Sequence, residues 1–440
     1  MEFFRKKPLL LLLGLSAILT VCIAKRKPNT PEQIHISYTG SNPTQMTVTW
    51  LTFNTTKFSV VQYGWQVLNE QTFGGVTKFV DGGNESSVRY IHRAVLSDLK
   101  PGVKYFYRCG SELAWSNVNT FRAMKNGTNW SPRFAFFGDM GIENARSLPR
   151  LLKDVQAEMY DAIFHIGDFA YDMADDNARV GDQFMNMIQP IASKVPYMTC
   201  VGNHEFHYDY SNYKNRLGNS MPNTPGRDNM YYSFDVGPVH FIAINTEIYY
   251  YKISDLKQIY SQHKWVENDL IEATKPQNRA VRPWIIMLGH RPMYCGNRDN
   301  DMCTKNENLV RNGYWGVFGL EKLLYSYGVD LAIWAHEHSY ERLWPIYDFK
   351  VYNGTPTAYT NPKAPVHITT GSAGCKEKLD PFKKTPPAWS AVRLDDYGYT
   401  RLQIHNSTHI FLQQVSDDKG GKIVDAMTLI REKHGPYSEL

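Results

Sequence analysis

Two regions of unlike periodicity predict the fold class: an N-terminal all-β sandwich followed by an α/β layered domain. From residue 30 to about 125 apolar and polar residues alternate, the period-2 pattern of strands with one buried face. From residue 133 onward, short and uniformly apolar runs are separated by amphipathic stretches. That pattern belongs to strands buried on both faces under a layer of helices. A third observation concerns function: these runs stop at loops rich in Asp, Asn and His, mostly led by glycine.

In chain order, residues 1–24 read as a secretory signal peptide. Arg5, Lys6 and Lys7 precede an apolar stretch from Leu9 to Ala24, and Cys22-Ile23-Ala24 is a small-residue cleavage site. The stretch is 16 residues long, too short for the roughly 20 residues of a membrane-spanning helix. A secreted, extracellular protein with no membrane attachment after cleavage is expected. Cleavage removes three basic residues and Glu2, so the formal charge falls from +5 to +3, too mild for a nucleic-acid-binding surface. Six sequons at Asn54, Asn84, Asn126, Asn129, Asn353 and Asn406 agree with a glycoprotein, although Asn126 and Asn129 are too close for both to be filled. Five cysteines remain after Cys22 is lost: Cys109, Cys200, Cys295, Cys303 and Cys375. The odd number leaves at least one unpaired, and Cys295 with Cys303 is the best local bridge.

Residues 25–128 form the sandwich. "IHISYTG", "QMTVTWLTF", "SVVQYGW" and "KYFYRCG" alternate, and a Pro-Gly turn sits within "LSDLKPGVKYFYRCG". The spacing resembles fibronectin type III-like domains, and no reactive side chains cluster there. After the linker "NGTNWSP", residues 129–440 make the second domain, including a C-terminal β segment from "PVHITTGSAG" through "TRLQIHNSTHIFLQQVS". Helix-like stretches at 143–160, 182–195, 262–273 and 319–329 fall between its apolar runs.

The runs end instructively. Phe134–Phe137 stops at Gly138-Asp139-Met140-Gly141, and Ala162–Ile166 stops at Gly167-Asp168-Phe169-Ala170-Tyr171. Tyr197–Val201 is followed by Gly202-Asn203-His204-Glu205, Trp284–Leu288 by Gly289-His290, and Leu331–Ala335 by His336-Glu337-His338. Singly, each has an ordinary reading: Asp139 as a helix cap, Asn203 as a turn residue, His290 and Tyr171 as packing. Jointly they occupy the carboxyl ends of strands, where α/β sheets gather ligands. His336 and His338, two apart, read as a pair on one strand face. His165 reads as a core residue, and His35, His92, His263 and His434 as structural or solvated.

Asp, Asn, His and Tyr without thiolates suit a borderline-to-hard metal, and seven such groups suffice for two ions. With Asp139, Asp168 and Tyr171 ionised, a trivalent and a divalent ion together leave a surplus of positive charge, which favours an anionic substrate.

These five blocks resemble those of the purple acid phosphatases, secreted members of the calcineurin-like metallophosphoesterase superfamily. The pattern is GDxG, GDxxY, GNH[DE], a histidine after an apolar strand, and HxH, and the resemblance spans roughly residues 30–435. It implies that Asp168 bridges two metals. Asp139, Tyr171 and His338 would bind iron(III), with Tyr171 as a phenolate. Asn203, His290 and His336 would bind zinc or iron(II). His204 would hydrogen-bond the phosphate ester or its transition state, and Asp172 receives no chemistry. The implied reaction is acid hydrolysis of a phosphate monoester by hydroxide, without a phosphoenzyme. Two departures stand out. Ala335 precedes HxH where the family has glycine. No histidine occurs between His290 and His336, so the proton donor to the leaving group is unassigned among Tyr294, Asp299, Asn300, Asp301 and water. Two rival readings remain open at this stage: a phosphodiesterase or pyrophosphatase built on the same centre, and a glycosylated binding ectodomain with a relict site.

Overall fold

The computed structural model describes residues 28–81, 87–218, 228–251 and 256–439. The expected signal peptide and the Asn84 sequon lie outside them.

The first unit is two four-stranded antiparallel sheets. One runs Glu32–Ser37, Met46–Thr52, Arg89–Leu96, Gly75–Phe79, and the other Glu70–Phe73, Val60–Gly64, Lys104–Gly110, Asn119–Arg122. Between them pack Ile36, Val48, Trp50, Val61, Tyr105 and Tyr107, all buried. The sequence marked four of these strands. Arg89–Leu96 escaped notice because Arg89 and His92 sit buried among its apolar residues. His92 is held between the hydroxyls of Thr52 and Ser59.

The second unit is a sandwich of a six-stranded and a seven-stranded sheet. Arg133–Phe137, Ala162–Ile166 and Tyr197–Cys200 lie parallel in the first. Val239–Ala243, Trp284–Leu288, Leu331–Trp334 and Val366–Thr370 lie parallel in the second. Strand geometry then explains the uniformly apolar runs. Phe134 and Phe136 face the opposite sheet: Phe136 stacks at 4.6 Å on Phe164 of the neighbouring strand, and Phe134 meets Phe241 of the opposite sheet edge-on at 5.2 Å. Their neighbours Ala135 and Phe137 face outward beneath helices Leu148–Gln156 and Asp175–Ala192. Helices Leu256–Ala273 and Glu321–Ser326 cover the second sheet. The C-terminal segment adds Gly398–Ile404, His409–Ser416 and Lys422–Ile430 to the first sheet, the last being a strand the sequence reading missed. The helix foreseen over 143–160 is shorter, Leu148–Gln156, because Asn144 takes a left-handed backbone and Pro149 suits only a first turn. Cys295 and Cys303 are bridged, as expected, and Cys109, Cys200 and Cys375 are free and buried.

A buried polar knot joins the two units. Arg89 of the sandwich donates from Nε and Nη2 to Asp182, at 3.0 and 2.8 Å. Arg216 reaches the same carboxylate at 3.0 Å, and Gln33 bridges Asp182 and Arg216. All four side chains are almost wholly enclosed. Such a knot is favourable only while complete, since removing one partner strands a buried charge.

Candidate metal centre

Five parallel strands deliver their C-terminal loops to one end of the second unit. Four of the expected ligands sit there with left-handed backbones: Asp139 (φ 61°), Asp168 (φ 57°), Tyr171 (φ 53°) and His336 (φ 70°). Strain of this kind at non-glycine residues collects at functional sites. Glycine is needed beside them. A Cβ on Gly202 would stand 2.3 Å from Asp168 Oδ1, and one on Gly167 would stand 2.4 Å from His290 Nδ1.

All seven expected ligands come together, in two adjoining groups. In one, the Tyr171 hydroxyl lies 2.8 Å from His338 Nε2 and 3.3 Å from Asp139 Oδ1. In the other, His290 Nε2 is 3.1 Å from Asn203 Oδ1, 3.2 Å from Asp168 Oδ2 and 3.2 Å from His336 Nδ1. The groups touch where the His336 amide donates to Asp139 Oδ2 at 3.0 Å.

Each histidine is aimed by its other nitrogen. His290 Nδ1 donates to the Ile166 carbonyl and His338 Nδ1 to the Lys378 carbonyl, so both present Nε2. His336 is turned the opposite way: Nε2 sits 2.9 Å from Asp301 Oδ2 and Nδ1 faces inward. This corrects the pairing of His336 with His338 on one strand face. The strand ends at Trp334, the two residues lie in the following turn, and their rings go to different groups.

The donor set fits cations. Among the described residues, Asp139 and Asp168 form ion pairs only with histidines, although both are buried. Burial pushes Asp139 up to about 7. Burial would raise Asp168 too, but His290 and His204 outweigh it and hold that carboxyl well below its usual range. Burial, then Asp139 and Asp168, keep the Tyr171 phenol well above its ordinary value, so a strong positive charge is required to make a phenolate. Converging oxygen and imidazole donors match a borderline-to-hard metal. The ligand atoms of Asp168, His290 and His336 lie within 4.8 Å of one another.

His204 stands over the first group, its ring 4.3 Å from that of Tyr171. Its Nδ1 is 2.6 Å from Asp172 Oδ1, its amide donates to Asp168 Oδ1 at 2.9 Å, and its Nε2 makes no hydrogen bond, the carboxylates of Glu377 and Asp168 lying 3.7 and 3.9 Å away. Burial would lower His204, but Asp168 and Asp172 push it up to about 9. Asp172, given no role from sequence, therefore orients His204.

Other contributors were also missed. Glu205 accepts the amides of Gly202, Asp168 and Phe169, tying two ligand loops together. Its signal was present, as the final position of GNH[DE]. Arg291 lies 2.8 Å from His336 Nε2 and donates to buried Glu247. The Cys375 thiol lies 3.7 Å from His338 Nδ1. Of the candidates for proton donor, Tyr294 is buried and bonded to Glu321, away from the centre. Asp301 is engaged by His336 and Arg291.

Comparison with known proteins agrees with this geometry at the level of the class first. Residues 132–340 match the calcineurin-like phosphoesterase model, residues 31–123 the purple acid phosphatase N-terminal domain, and residues 364–426 the iron/zinc purple acid phosphatase-like C-terminal model. Acid phosphatase type 7 of Homo sapiens is 54% identical over 92% of both chains, and that of Danio rerio 52% over 92% of both. The solved structure of purple acid phosphatase PPD1 from yellow lupin (Lupinus luteus) has a TM-score of 0.73 and 26% identity, covering 92% of this chain and 75% of that one. The chain belongs to the purple acid phosphatase family.

Proposed function

We propose that this protein is a secreted acid phosphatase that hydrolyses phosphate monoesters at a dinuclear centre of iron(III) with zinc or iron(II). The observation that carries the reading is the convergence of seven donor side chains into two adjoining groups beside a histidine whose Nε2 makes no hydrogen bond. Asp168 would serve both ions. Asp139, Tyr171 and His338 would hold the ferric ion, and Asn203, His290 and His336 the divalent one. When bound, such a pair supplies Lewis acidity to the phosphoryl group and lowers the pKa of water at the site.

The chain's own residues do the rest. Asp172 fixes the Nδ1–H of His204, leaving Nε2–H to donate to a phosphoryl oxygen as charge develops on it. The Ile166 and Lys378 carbonyls fix the tautomers of His290 and His338. Glu205 keeps the loops of Asp168 and Asn203 in register.

Residues 25–128 and 129–440 are the accessory and catalytic domains of this reading. For secretion, the support is the N-terminal charge and apolar pattern, with exposed sequon asparagines at Asn54, Asn126, Asn129, Asn353 and Asn406. The test is turnover of para-nitrophenyl phosphate and its bis-ester across pH, alongside metal analysis and an optical spectrum. One iron per chain, a broad visible band and preference for the monoester in acid are expected. Metal-loaded protein that turns over neither ester would sink the proposal.

A further inference from the structure

One buried acid is left over by this chemistry. Glu337, between His336 and His338, is 1% exposed and brings a carboxylate oxygen within 4.8 Å of a His336 ring nitrogen. Its Oε1 lies 2.9 Å from Cys303 Sγ, and its Oε2 is buried without a hydrogen-bond partner. The charged groups acting most strongly on it are Asp299, Asp301 and Asp380, all of its own sign. Asp301 is engaged by His336 and Arg291. Among the described residues neither Asp299 nor Asp380 forms an ion pair with a lysine or arginine, Asp380 facing only His338 at 3.8 Å, and each brings an oxygen within 4.8 Å of a Glu337 oxygen and of the other. Beside them Asn297 donates to Ser339 Oγ and the Asp380 carbonyl, and its own Oδ1 is a second buried oxygen without a partner. The adjacent sulfurs are joined as a disulfide, so no thiolate is available. Three carboxylates packed this closely need either a shared proton or a cation among them, and the two orphaned buried oxygens favour the cation.

We propose that Glu337, Asp299 and Asp380 form an additional cation site, separate from the dinuclear centre, for a hard divalent ion of the calcium type. The donors are all oxygen. Several carboxylate oxygens with room for water suit calcium, at about 2.3–2.6 Å from each, better than the strict octahedron that magnesium demands. Asp299 is exposed, so water can complete the coordination shell. The ion would tie together the 297–303 loop, the 336–338 turn and the 375–382 loop. Asp380 Oδ2 also accepts the His338 amide at 2.7 Å, so an ion here steadies one histidine of the dinuclear centre from behind.

The experiment titrates calcium chloride into full-length protein loaded with iron and zinc, read by isothermal titration calorimetry and by Tm. One calcium per chain and a Tm that climbs with calcium are expected. Asp299→Asn, at an exposed position that folding does not depend on, should weaken the binding at least about tenfold. Glu337→Gln should abolish it. Wild-type protein that shows neither heat nor a Tm change at about 10 mM calcium overturns the site, and so does an Asp299→Asn protein that binds like wild type. Ester turnover is measured separately: calcium binding without turnover leaves this site standing, and turnover without calcium binding removes this site alone.

Discussion

The two halves of the metal centre are aimed by different materials. On the Asp139–Tyr171–His338 side, the orienting groups are largely backbone: the Lys378 carbonyl behind His338 and the His336 amide on Asp139. On the Asn203–His290–His336 side, the Ile166 carbonyl holds His290, but His336 depends on side chains from distant loops, Asp301 and Arg291, with Arg291 anchored in turn on buried Glu247. Backbone anchoring survives most substitutions, whereas side-chain anchoring can be undone one residue at a time. The Asn203–His290–His336 side is therefore where metal affinity can be tuned without losing the fold.

The largest effect tests what the halves share. Asp168→Asn removes the carboxylate that would serve both ions and should lower kcat at least about 10³-fold, with metal content by elemental analysis falling on both sides. His204→Ala should cost about 10²–10³-fold in kcat while both metals stay bound. Unchanged turnover would remove His204 from the chemistry. Asp301→Asn should weaken only the divalent ion, by about 10–100-fold in competition with a chelator, and leave the visible band intact. Loss of the band instead would show that the halves are not independently anchored. Asp172→Asn, which leaves His204 in place but poorly oriented, should cost about tenfold in kcat.

A last prediction separates the pH response of the fold from that of the centre. His240 lies between Asp235 at 2.7 Å and Asp269 at 2.8 Å, far from any ligand. Burial would lower it, but the two carboxylates push it up to about 9, above the ordinary 6.5. A raised folded-state value means stability that is complete below pH 6.5 and is lost as pH climbs through 9. The loss should reach about 3 kcal/mol in chemical denaturation and be absent in His240→Gln.

Much of this centre was legible because the chemistry is written where apolar runs stop. Phe134–Phe137 and Ala162–Ile166 are apolar throughout since both their faces are covered, so Asp139 and Asp168 stand out at their ends. Glu205, Asp172, Asp301 and Arg291 gave a weaker signal. They act on the ligands or on His204 and not as ligands, and three of them come from loops without periodicity. His336 and His338 misled for a related reason: spacing of two implies one face only while the strand continues, and here it has ended. In the N-terminal unit, Arg89 disguised its own strand because its charge is buried for the sake of a partner 93 residues away.

That partner changes what the sandwich is. Asp182 sits on the helix that follows the Asp168–Tyr171 loop, and Arg216 ends the helix that follows the Asn203–Glu205 loop. Cutting the chain at residue 128 would leave both without Arg89 and Gln33 on a newly wetted apolar surface. The sandwich is thus a keystone and not an appendage, and trimmed versions of this protein should be sought by shortening its outer hairpins, never by excising it.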